Sequence, residues 1–152
     1  MKKSVASKAL AAAICTVFAI GLFLVVTLPF LLDTYLLILY DAYSVQPGYR
    51  TFILSFLMVV GVLALWMLAE MLGMLRTIPA DPFIAKNVRT LRRIGIVAIL
   101  TAALFFGKCL YYFTILTLGC GVILLVGGLF AFTLSDLFNQ AVIFKQENDL
   151  TI

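Results

Sequence analysis

Apolar residues gather into four long blocks, and the short segments between them hold most of the charge. The blocks are Ala9–Leu32, Phe52–Leu75, Ile94–Tyr112 and about Leu118–Phe138. Each approaches or exceeds the roughly 20 residues that a helix rising ~1.5 Å per residue needs to cross a hydrocarbon core of ~30 Å. Lipid offers no partner for a backbone amide or carbonyl, so a spanning segment is a helix or part of a closed barrel. No block alternates apolar and polar residues, which excludes the barrel. A water-soluble helical core is disfavoured too, because none of the four blocks keeps a polar face. The expected fold is all-α: an integral-membrane four-helix bundle forming one domain over residues 1–152, with a loop at 76–93 and a tail at 139–152.

Composition agrees, since 64% hydrophobic residues against 12% charged ones leave too little polar surface for a water-exposed globule. The start, Met1-Lys2-Lys3 with Lys8 before an apolar run, has the look of a secretory signal. Its apolar run is longer than a signal core of roughly 7–15 residues, and no small-x-small cleavage site follows. Helix one is expected to be retained, and Cys15, inside the run, is not expected to be a lipoprotein cleavage point. Orientation follows from the cations. Lys2, Lys3, Lys8, Arg76, Lys86, Arg89, Arg92, Arg93 and Lys145 fall on one side, and only Arg50 and Lys108 on the other. By the positive-inside rule both termini and the central loop are cytoplasmic. The net charge of +4 is therefore a threading signal, and direct nucleic-acid binding is not expected.

The chain has no histidine, and its three cysteines, Cys15, Cys109 and Cys120, contain no Cys-x-x-Cys. No metal site, cofactor or catalytic residue is expected. Asp33, Asp41, Glu70 and Asp136 form no recognised active-site spacing and fall on opposite faces of the membrane. Cys109 and Cys120 flank the outer turn and are read as buried small residues, with a disulfide as the alternative. Pro29 is expected to kink the outer turn of helix one, and Asp33 to cap a short interfacial helix reaching Tyr43 on the outer face. Glu70, Arg92 and Asp136 fall at the inner membrane surface, where Arg92 or Arg93 can pair with either carboxylate. A transporter would instead hold a carboxylate at mid-depth. Lys108 lies in the outer third, expected to snorkel beside Tyr111 and Tyr112 or to pair with Asp33 or Asp41. Ala9/Ala13, Ala98/Ala102 and Gly127/Ala131 supply small residues for close helix contact.

The polar loop and tail carry the most structured signals. Asp81 suits an N-cap and Pro82 a first helical position, opening an amphipathic extension of helix three. Phe83, Val88, Leu91 and Ile94 share one face, and Lys86, Arg89 and Arg93 another. The basic face suits anionic lipid headgroups, with an acidic partner or the protein's own tail as the alternative. Helix four is expected to continue to about Gln146, leaving Glu147-Asn148-Asp149-Leu150-Thr151-Ile152 as an acidic end. Lys86, Arg89, Arg93, Glu147, Asp149 and Ile152 are the candidate partner-binding residues.

In Asp81-Pro82-Phe83, Asn87-Val88, Leu91-Arg92-Arg93-Ile94 and the ending Glu147–Ile152, the chain resembles a family of bacterial membrane proteins, domain of unknown function 2975. The resemblance implies a four-span protein of the bacterial inner membrane without catalytic residues. It also implies, by association only, a small helix-turn-helix transcription regulator as cytosolic partner, held through the loop and tail. The leading expectation is thus a non-enzymatic regulatory or interaction protein. The alternatives are immunity or stress protection against membrane-active peptides, through the outer segment Asp33–Arg50, and a small transporter.

Overall fold

The computed structural model describes residues 5–39, 48–77 and 83–149. Four helices run through them: α1 (Val5–Leu39), α2 (Tyr49–Thr77), α3 (Ala85–Tyr111) and α4 (Ile115–Asp149). All four are long and apolar enough to cross a membrane. Successive helices are antiparallel. Asp33 of α1 meets Arg50 of α2, Glu70 of α2 meets Arg93 of α3, and Lys108 of α3 meets Thr117 of α4. Contacts join only chain neighbours, α1 to α2, α2 to α3 and α3 to α4. Among the described residues the helices therefore form an open row rather than a closed bundle, with α1 and α4 at its edges. Large apolar side chains such as Val26, Phe30, Leu110 and Ile123 are exposed, as expected of surfaces that face lipid.

Helix association in lipid gains little from apolar burial, because lipid tails are as apolar as leucine, so close packing of small residues takes its place. The α3–α4 seam is built that way. Along α4 the buried positions Gly121, Gly128, Ser135 and Val142 recur every seven residues, with Ala131 between them. This spacing keeps one stripe of α4 turned toward its neighbour. Backbones meet where Gly95 faces Gly128. A methyl group added to Gly95 would lie 3.0 Å from the Gly128 carbonyl oxygen, and one added to Gly128 would lie 2.8 Å from Ile99 Cγ1. Gly127, one residue earlier, faces open space. The small residue that matters beside Ala131 is Gly128, since Gly127 points away from α3.

Several local expectations are corrected. α1 passes unbroken through Pro29 and Asp33 to Leu39, so Asp33 caps nothing and 33–39 is the last part of α1. The rest of the expected interfacial helix lies outside the described residues. In lipid a broken helix strands polar backbone groups that water cannot satisfy, and this favours continuing through a proline. α3 begins at Ala85, with Ile84 in extended conformation at its N-cap position and no side-chain cap. Asp81 and Pro82, expected to open it, lie outside the described residues. The Phe83 ring packs on Phe138 of α4, centroids 5.4 Å apart, which holds this stretch against α4. Cys109 and Cys120 are free thiols.

Candidate functional site

The end of the molecule that carries the basic cluster is organised by polar contacts between helices. Glu70, on the last turns of α2, accepts from Arg93 Nη2 at 3.2 Å, with its own side chain only 16% exposed. Trp66, one turn earlier, places its indole Nε1 3.4 Å from the other carboxylate oxygen. Arg92, the next residue round the helix, is exposed, as is Asp136. Of the expected charge cluster, the structure joins Glu70 to Arg93 and leaves Arg92 and Asp136 outside that pair.

Beneath the charges lies a layer of neutral polar residues that the sequence pattern did not single out. Asn87 is 1% exposed, and Thr90 and Ser135 are nearly as buried. Thr77 Oγ1, at the end of α2, lies 2.6 Å from Asn87 Oδ1 and 2.8 Å from the Met74 carbonyl oxygen. Ser135 Oγ donates to the Val88 carbonyl oxygen at 3.0 Å. These contacts tie α2, α3 and α4 together at one depth. A usable signal was present, since Asn87, Thr90 and Leu91 sit three and four residues apart, opposite Lys86, Arg89 and Arg93, so the extension buries a face that is partly polar.

Lys86, Arg89, Arg92, Arg93 and Ile96 line a cleft of about 500 Å³ on the outside of this layer. Beyond it α4 continues. Ser135 lies about 30 Å along the helix from Ile115, so the residues from there to Asp149 add about 20 Å beyond a bilayer core. Val142 on this extension is buried, whereas Ile143 and Phe144 are 46% and 64% exposed. Glu147 lies exposed on its last turns, Asp149 closes the helix, and Ile152 lies outside the described residues.

At the opposite end, Arg50 grips Asp33 through two hydrogen bonds of 2.5 and 2.8 Å, Nε to Oδ1 and Nη2 to Oδ2. Asp33 is thus taken by Arg50 and not by Lys108; Asp41 lies outside the described residues. Lys108 Nζ donates to Thr117 Oγ1 at 2.8 Å and sits 6.0 Å from the centre of the Phe56 ring. Tyr49, Phe52, Tyr111 and Tyr112 stack around this end. This ammonium thus links α3 to α4 through a hydroxyl and lies near an aromatic ring, a placement suited to packing. In liposomes, Lys108→Met is accordingly expected to leave proton and potassium flux at the background level of the wild type. A wild-type flux abolished by the substitution would restore the transport reading.

Four antiparallel spans, with positive charge concentrated at one end, define a multi-pass α-helical membrane protein. The family model described as protein of unknown function (DUF2975) matches residues 39–152, and the chain belongs to that family. No curated protein and no solved structure matches the chain.

Proposed function

We propose that this is a non-enzymatic regulatory or interaction protein of the bacterial inner membrane, with both termini cytoplasmic, that holds a small cytosolic partner on the protruding part of α4. The observation that carries the reading is the exposed pair Ile143 and Phe144 on a helix that stays ordered beyond the bilayer depth. An apolar pair in water is unfavourable unless it is covered some of the time, and an aromatic side chain is the commonest kind of binding anchor. The contacts at Phe83–Phe138 and Ser135–Val88 fasten the base of this extension to the residues around α3. Less ordering is then needed when a partner docks. By family association the partner is a helix-turn-helix regulator encoded beside this protein. The basic residues Lys86 and Arg89, with Glu147, Asp149 and Ile152, would flank the docking surface.

The test uses the full-length protein in nanodiscs and the purified neighbouring regulator. Substituting Ile143→Ser and Phe144→Ser together is expected to weaken binding at least tenfold, as loss of a central aromatic anchor does. Unchanged affinity, or no binding by the wild type, would reject the proposal.

A further inference from the structure

The basic cleft has a chemistry of its own, apart from any protein partner. Of its four cations, Arg93 is already neutralised by Glu70. No ion pair joins Lys86, Arg89 or Arg92 to an acidic group among the described residues. Three positive charges thus surround a concavity of about 500 Å³ whose remaining wall is Ile96. Arg89 and Arg92 can each offer a planar fork of donors suited to phosphate oxygens.

The cleft's position selects the source of the phosphate. It sits at the depth of Glu70 and Trp66, where α3 passes from its polar first turns into its apolar span. From Ile96 the same face continues through Leu100 and Leu104, both exposed. These residues recur at helical spacing and make an apolar track directly below the cations. A soluble anion or an acidic peptide would use the cations and leave the track idle. A phospholipid uses both, headgroup in the cleft and acyl chains along Ile96, Leu100 and Leu104.

We infer that Lys86, Arg89, Arg92 and Ile96 form a binding site for an anionic phospholipid whose headgroup carries two phosphates. Three unneutralised cations match two phosphates better than one. The inference does not rest on the regulator proposal, whose anchors are Ile143 and Phe144 on α4, although Lys86 and Arg89 border both surfaces.

Detergent-purified, delipidated full-length protein is titrated with diphosphatidylglycerol, phosphatidylglycerol and inorganic pyrophosphate, and bound species are counted by native mass spectrometry. One diphosphatidylglycerol per chain is expected to bind most tightly, with phosphatidylglycerol weaker and pyrophosphate negligible. The variant Arg89→Gln/Arg92→Gln should weaken the two-phosphate lipid about thirtyfold, from two cations near an anionic surface. Lys8→Gln/Arg76→Gln removes the same charge from exposed positions at the same end of the molecule and should cost less than threefold. Equal losses in the two variants would reduce the site to diffuse surface charge. Pyrophosphate or polyglutamate binding as tightly as the lipid would assign the cleft to a soluble anion or an acidic peptide and overturn the inference. Equal affinity for the two lipids would overturn its two-phosphate part.

Discussion

Gly128→Leu is expected to pry α3 from α4, whereas Gly127→Leu, one residue away in the same helix, should be nearly silent. At Gly128 the first added carbon already lies 2.8 Å from Ile99 Cγ1, 3.1 Å from the Gly95 carbonyl oxygen and 3.3 Å from Ala98 Cβ. The carbonyl belongs to a helix and can yield only if the whole helix shifts. Overpacking of this kind typically costs about 1–3 kcal/mol, and the upper part of that range applies where backbone meets backbone. At Gly127 a side chain enters lipid, and leucine in place of glycine also favours the helix by somewhat under 1 kcal/mol. Thermal unfolding of both variants in the same detergent provides the comparison. Equal destabilisation of the two would mean that the seam does not pack on the Gly128 face.

The second large effect is expected at Asn87. Replacing it with leucine removes the acceptor 2.6 Å from Thr77 Oγ1 and forces a branched apolar side chain into a position that is 1% exposed. Breaking a buried hydrogen bond while leaving its partner in place costs about 1–3 kcal/mol. The loss here is at the lower end, since the Thr77 hydroxyl keeps the Met74 carbonyl as an alternative. Thr77→Val combined with Asn87→Leu should recover part of it, because both polar groups are then gone. A double-mutant cycle in detergent measures the coupling. Strict additivity of the two single losses would show that the Asn87–Thr77 contact contributes nothing of its own.

How legible was this molecule in its sequence? The four spans and the persistence of helix four were readable because membrane thickness demands long apolar runs, a requirement written along one dimension. At Pro29 the helix continues, because in lipid a chain break would leave more backbone groups unpaired than the one carbonyl a proline frees. Asp33 looked like a cap because carboxylates suit helix starts, but its partner Arg50 lies seventeen positions away. Gly127 and Gly128 cannot be told apart by composition; only the phase of the buried stripe, Gly121, Gly128, Ser135 and Val142, separates them. Arg92 and Arg93 posed the same problem of adjacent identical residues, and a rotation of about 100° decides which one reaches Glu70. The burial of Asn87, Thr90 and Ser135 went unforeseen because a polar residue near a membrane surface is normally a solvated one.

Because, among the described residues, the helices pack in chain order, α1 on α2, α2 on α3 and α3 on α4, the packed pairs are segments that leave the ribosome one after the other. Sequence separation between contacting residues is low, a condition that favours rapid folding. The first hairpin can settle where Gly21 of α1 admits Leu65 of α2 and Gly61 of α2 admits Val25 of α1 while the second is still being made, because its packing does not involve α4. For these four helices synthesis order and packing order coincide, and α4 adds its seam to an α3 already made.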